Sequence, residues 1–210
     1  MTTWFKSATK LAGLCMSALL LLFPMGCSTP SLNKAYTAET LERVTGIEGE
    51  WVQIPKPGEE PEFMLVIAAS KDSLYNVDIR GLKPKTDEPA SPQRILVGFT
   101  KVNGQLFADA TADFTREPLL GHYRDYIIPA HVFAHVTFDG TTLAVSPMSG
   151  SGLEKLLKDK PDSISHAAAE DSLVLTADTS RIREFLAAQQ GNTDLFQAEP
   201  MRFGRAPAAK

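Results

Sequence analysis

Side chains with the chemistry for catalysis or metal binding fall in four places in this 210-residue chain. His131 and His135 are four residues apart, and on a helix that spacing would aim both imidazoles at one metal ion. Val132, Ala134, Val136 and Phe138 alternate with them, however, and apolar alternation at period two marks a strand. On a strand the two histidines share a face but stand about 13 Å apart at roughly 3.3 Å per residue, too far for one ion. They are expected to be solvent-facing neighbours of Phe133. Asp109 and Asp113 have the same separation on another strand pattern, so they cannot form a close carboxylate pair and are expected on the solvated side. Ser149 and Ser151 lie in Met148-Ser-Gly-Ser-Gly152, which lacks the first glycine of G-x-S-x-G and reads as a loop. The stretch Arg116–Tyr126 (REPLLGHYRDY) gathers His122, two tyrosines and charges in a loop that could serve as a binding lip, or simply as a polar connection. There is no phosphate loop, dinucleotide fingerprint or Cys-x-x-Cys. No catalytic group, metal site or cofactor is expected, and the chain reads as non-enzymatic.

The elements that would position these residues are mostly strands. Thr37 could cap a short helix over Ala38–Thr45 with Gly46 as its stop. Strand patterns follow at Glu50–Ile54, Phe63–Ser70, Ser73–Arg80, Arg94–Val102, Gln105–Phe114, His131–Phe138, Thr141–Pro147 and Ser172–Ala177. Asn103-Gly104 and Asp139-Gly140 join two of the pairs and are strong hairpin signals, because both turn residues must tolerate positive φ. Lys71-Asp72 makes a third tight connection, and the proline-rich stretch 81–93 is a loop. Leu153–Lys158 reads as one or two helical turns. One clear helix covers Ser180–Gln190, with Asp178 or Thr179 as its N-cap and Gly191 as its stop, and a last short strand covers Glu199–Phe203. Sequential pairing of eight or nine strands predicts a mainly β fold, an antiparallel up-and-down barrel with one C-terminal helix, with a β-sandwich as the alternative.

Alternation in Gln105–Phe114 points Leu106, Ala108, Ala110, Ala112 and Phe114 to one face. Three consecutive inward alanines beside Ile95, Val97 and Phe99 leave either a cavity or room for another element, such as the Ser180–Gln190 helix laid across the strand. Trp51, Phe99, Ala108, Ala110 and Ala112 are therefore the candidate lining of a small apolar site. Gly49-Glu50-Trp51, opening the first strand after a short helical lead-in, with a helix and one further strand closing the chain, resembles the lipocalin or calycin pattern. That resemblance implies that Trp51 closes the barrel floor and that an arginine near the last strand, Arg202 or Arg205, covers it.

The N-terminus supplies an address. Lys6 and Lys10 precede an apolar run, Leu11–Phe23, and the first acidic residue is Glu39. A membrane span needs roughly 20 apolar residues, so this run is too short and has the flanks of a signal peptide. With Gly26-Cys27 following, the chain resembles a bacterial lipoprotein precursor, although Pro24 and Met25 depart from the usual Leu-then-small pattern. The resemblance implies cleavage after residue 26 and a diacylglycerol on Cys27, with palmitate among the acyl chains. It also implies, from Ser28 after the cysteine, sorting to the outer membrane with the domain facing the periplasm. The division expected is a signal peptide over 1–26, a lipidated tether over 27–36 and a single β-barrel domain over 37–210.

Loss of Lys6 and Lys10 with the signal leaves 19 basic against 25 acidic residues, a formal charge of −6. Such a surface, without basic runs, argues against nucleic acid and against electrostatic docking on anionic lipid. Cys15 departs with the signal, so Cys27 cannot form an intramolecular disulfide. The partners expected are the membrane through the N-terminal lipid, and a small apolar ligand or lipid held in the barrel. The alternative is an envelope scaffold or protein-interaction lipoprotein with a packed core.

Overall fold

The computed structural model describes residues 29–82, 93–113, 128–169, 172–196 and 198–207. Eight strands form a closed antiparallel barrel: β1 (Gly49–Gln53), β2 (Phe63–Ala69), β3 (Tyr75–Gly81), β4 (Gln93–Val102), β5 (Gln105–Ala112), β6 (His131–Phe138), β7 (Thr142–Pro147) and β10 (Met201–Arg205). β2 to β7 pair in sequence, as expected of a meander, and β10 fits between β7 and β1 to close the sheet. The mainly β, up-and-down barrel is therefore the fold, and the sandwich is excluded. Closure removes the free edges that an open sheet would expose to other chains.

Turn chemistry agrees with the sequence at the central hairpin. Asn103 and Gly104 both take positive φ (46° and 79°), and the hairpin they turn pairs β4 with β5 over eight residue pairs, from Val102 with Gln105 to Ile95 with Ala112. At Asp139-Gly140 only the glycine is left-handed (φ 92°). There the Asp139 carboxylate accepts bonds from the Thr141 and Thr142 amides at 2.8 and 2.7 Å, which fixes the turn by a side chain.

Several elements differ from the sequence reading. Ala38–Thr45 is not a helix: after one turn at 37–40, Leu41 bridges to Thr100 and the Glu42 amide donates to Phe99 O at 2.8 Å. Backbone groups exposed by β4 compete successfully with a helix that would be only two turns long. Ser172–Leu175 (β9) is no barrel strand; it pairs with β8 (His166–Ala169) in a separate two-stranded sheet. Met148–Gly152 is not a loop: Met148 bridges to Phe196, and Ser149 caps a full helix, α1 (Gly150–Asp159), by accepting from the Gly152 amide at 3.1 Å. The second helix, α2 (Thr179–Ala188), is capped by Asp178 as expected.

Two apolar clusters result. One fills the barrel, with Trp51, Ile67, Tyr75, Phe99, Val136, Leu143 and Phe203 among its members. The other lies outside the wall, where Phe107 and Phe133 of β5 and β6 meet Leu153 and Leu157 of α1, Leu175 of β9, and Ile182, Phe185 and Leu186 of α2. β5 and β6 are thus buried on both faces. This overturns the expectation that Asp109, His131 and Phe133 line a solvated side: Asp109 is 1% exposed and Phe133 2%.

The segment expected to be a tether is also part of this outer layer. Thr29, Ser31, Ala35 and Tyr36 are buried. Ser31 exchanges backbone bonds with His131 at 2.8 and 2.9 Å, and Leu32 and Pro30 bond to Leu175. Ala35 N–H donates to Asp109 Oδ2 at 2.7 Å, and the other Asp109 oxygen lies 2.6 Å from His131 Nδ1. From α2, Arg183 donates to Ala35 O at 3.1 Å and to Thr100 Oγ1 at 2.7 Å. Residues 29–36 are therefore a strap bonded to the wall, and a buried carboxylate is acceptable there because each oxygen has a donor. Replacing Asp109 with alanine leaves the Ala35 amide and His131 without their acceptor. Asp109→Ala in a soluble Cys27→Ser form should lower unfolding free energy by about 2–5 kcal/mol in urea titrations, whereas Asp113→Ala, on a partly exposed residue, should cost far less.

Candidate functional site

The two ends of the barrel differ. At the first, residues 41–48 run from Leu41, bridged to Thr100, across to β1, bringing Val44 and Ile47 onto the interior cluster. Trp51 is fully buried beneath them, donates from Nε1 to Ile47 O at 2.8 Å, and meets Phe138 edge-on at 5.6 Å. Arg205 stands directly opposite Trp51 in the β1–β10 register, and its guanidinium lies 4.3 Å from the ring centroid. The same group donates to Glu48 O at 2.7 Å and to Gly46 O. Gly49 makes this stack feasible. A Cβ there would come 2.5 Å from Arg205 Nη1, and its φ of 129° suits glycine alone. The Gly-x-Trp spacing thus has a physical use here. Gly49 leaves room for the guanidinium, and two residues on, Trp51 faces into the barrel beneath it. Arg205, not Arg202, takes the covering role.

Toward the other end the interior is thinner. Register places Ala108 opposite both Phe99 and Ala134, and Ala110 opposite both Val97 and Val132. Phe99 is buried and packs edge-on against Tyr75 at 5.3 Å; Ala110 is 8% exposed. Ala108 and Ala112 are only partly buried. Ala108 is informative because it lies midway along β5, and its outward neighbours Phe107 and Asp109 are each 1% exposed. With the outer face covered, the accessible area of Ala108 belongs to the inside. α2 does not lie over these alanines. It packs outside β4, where Arg183 bonds to Thr100 and Lys101 and Gln190 bonds to Val102 O. The five residues expected to line a site, Trp51, Phe99, Ala108, Ala110 and Ala112, therefore fall on the inner face of the wall, with Trp51 as its floor.

A concavity of about 290 Å³ lies outside the barrel, between the β5–β7 wall and residues 191–200. His135 and Ser146, directly opposed across β6 and β7, face it with Gln105, Thr137, Asn192 and Phe196. His135 packs edge-on against Phe107 at 5.5 Å, and burial pulls its pKa below the usual 6.5, which favours the neutral ring. Among the described residues no carboxylate lines this cleft to orient the imidazole, so those side chains do not amount to a Ser-His-Asp array. His131 is likewise not solvent-facing: it is occupied by Asp109. The negative charge of Asp109 also helps burial push the nearby Tyr36 phenol up to about 12, with burial the larger cause. Among the described residues, no three His, Cys, Asp or Glu side chains converge on a metal position. Cys27, the signal stretch 1–26 and the loop 116–126 lie outside the described residues.

Sequence reasoning missed the Asp109–His131–Ala35 array and the outer cleft. A histidine and an aspartate alternating with apolar residues are indistinguishable from a solvated face until the covering layer is known. Compared with known proteins, the chain matches no family model, no curated protein and no solved structure.

Trp4 lies in the expected signal segment, so Trp51 would be the only indole of the processed chain. Arg205→Ala should uncover it. The expected results are a red-shifted Trp51 emission, stronger iodide quenching and a loss of about 1–3 kcal/mol, combining the cation–π contact with the bonds to Glu48 and Gly46. Arg202→Ala serves as the control and should leave emission unchanged.

Proposed function

We propose that this chain is a lipid-anchored envelope protein, non-enzymatic, whose barrel holds a small apolar ligand such as an acyl chain. The observation that carries the reading is the asymmetry of the interior. The inner faces of β1, β3, β4 and β10 carry Trp51, Tyr75, Phe99 and Phe203, whereas β5 and β6 turn Ala108, Ala110 and Ala134 inward, and Ala108 is only partly buried. Protein interiors are normally filled to crystal-like density, so small side chains that retain accessible area favour an occupant. Among the described residues, the cross-strand neighbours of Ala108 and Ala110 are Phe99, Ala134, Val97 and Val132, all apolar, which suits hydrocarbon over a polar solute. Anchoring rests on the Gly26-Cys27 pattern after a short apolar run, and outer-membrane placement on Ser28.

The ligand reading is tested with a fluorescent fatty acid. The wild-type domain should take up the probe, and Ala110→Phe should abolish uptake while leaving circular dichroism and melting temperature close to wild type. If the wild type binds no probe and Ala110→Phe lowers stability by about 1–3 kcal/mol through overpacking, the domain is a packed scaffold. Lipid extraction from purified protein followed by mass spectrometry identifies the occupant.

Anchoring is tested separately. Cells given labelled palmitate should label the wild-type chain, and Cys27→Ser should remove the label and release the domain from membranes. Two or three acyl chains hold a protein stably at about 0.8 kcal/mol per buried CH₂. Labelling that survives the substitution would exclude Cys27 as the acceptor.

A further inference from the structure

The large apolar side chains left exposed among the described residues are Leu32 (42%), Ile54 (48%), Leu82 (40%) and Ile128 (70%). All four belong to one end of the barrel. Ile54 directly follows β1, Leu82 follows β3, and Ile128 comes three residues before β6. The register joins these strand termini: the end of β1 meets the start of β2, the start of β2 meets the end of β3, and the end of β5 meets the start of β6. Leu32 reaches the same rim because Ser31 is bonded to His131, the first residue of β6. The opposite end, closed by Trp51 and Arg205, turns on Lys71-Asp72, Asn103-Gly104 and Asp139-Gly140 and carries none of these side chains. Singly exposed apolar residues are ordinary, but all four of these fall at one end of the barrel.

The chain's own route indicates what lies against this rim. Ser31 is pinned there, and Thr29 is already buried. Cys27 is four residues before Ser31 in the sequence, so at about 3.3–3.6 Å per residue the chain can span at most roughly 14 Å between them. We propose that the rim bearing Leu32, Ile54, Leu82 and Ile128 is the membrane-facing surface of the domain, set on the bilayer with that end of the barrel turned toward the lipid. This rests on the reading of Cys27 as the acylated residue. An anchor joined through a packed strap cannot let the domain tumble as a long flexible tether would. The same end carries Lys56, Glu59, Glu60 and Glu62 in the β1–β2 connection, a net negative set, so the contact proposed draws on the apolar side chains and not on anionic headgroups. A barrel seated this way can exchange an acyl chain with the leaflet without passing it through water.

The orientation can be read directly. In the processed, acylated chain an introduced cysteine is the single free thiol, so Ile54→Cys, Leu82→Cys, Ile128→Cys, Lys71→Cys and Thr141→Cys can each carry one bimane label. In phosphatidylcholine vesicles doped with nitroxide lipids, labels at 54, 82 and 128 should lose emission. Labels at 71 and 141 should keep it, and added phosphatidylglycerol should not alter the pattern. Quenching at 71 and 141, or at none of the five, overturns the proposal. If palmitate labelling fails, the anchor reading falls by itself. The rim is then judged with a Cys27→Ser processed chain held on nickel-chelating vesicles by an N-terminal hexahistidine tag, where the same pattern is expected and the same two outcomes overturn it.

Discussion

The seam between β1 and β10 is where this sheet becomes a barrel, and it is short. Three residue pairs make it, Trp51 with Arg205, Val52 with Gly204 and Gln53 with Phe203. Every other pairing in the barrel joins neighbours in sequence except β7 with β10, so the fold depends on returning the last strand across the whole chain to the first. The Trp51–Arg205 pair sits on that seam and does more than pair two strands. The guanidinium covers the indole, and its donors fix the carbonyls of Gly46 and Glu48, so the segment sealing the barrel floor is tied to the strand that closes the wall. Closure, floor and first strand are one physical unit.

Around that unit the wall is buried unequally. β5 and β6 have apolar residues on both faces, inward to the barrel and outward to α1, α2, β9 and the N-terminal strap. The outer layer explains how polar residues come to be buried there. Asp109 accepts from Ala35 and His131, Thr100 donates to Thr40 O and accepts from Arg183, and these bonds hold the strap across β4 to β6. A buried carboxylate so placed holds segments in register without any need for a reaction. Asp109 and His131 are thus accounted for by architecture, and the functional reading rests on the interior and the rim.

Those two features are connected by geometry. The aromatic residues concentrate at the closed floor, whereas alanines line the wall and exposed leucine and isoleucine side chains collect at the opposite rim. The strap ends its visible course at that rim as well. The apolar character of the rim and the position of Ser31 are independent observations, one from burial and one from hydrogen bonding, and both fall at the end proposed to meet a bilayer.

By itself the sequence determined what is local. Period-two alternation in Gln105–Ala112 and His131–Phe138, and the positive-φ pair Asn103-Gly104, specify strands and turns through neighbouring residues alone. They were enough to predict an up-and-down barrel and to sort Ala108, Ala110 and Ala112 to its inner face. Asp178 and Gly191 bounded α2 for the same reason. Short apolar runs carry less information, and Ser172–Leu175 looked like a barrel strand because four residues of β character do not say what they pair with. Only the tertiary structure decided the outer face. Whether Asp109 and His131 meet water or a second layer depends on Ala35, 74 residues from Asp109, and on α2, and no local pattern encodes which segment returns to cover a wall. The strap was misread for the same reason. Ser31-Leu-Asn-Lys34 is polar enough to be a tether, and it is ordered by backbone bonds to His131 and Leu175, a kind of interaction to which side-chain composition is nearly blind.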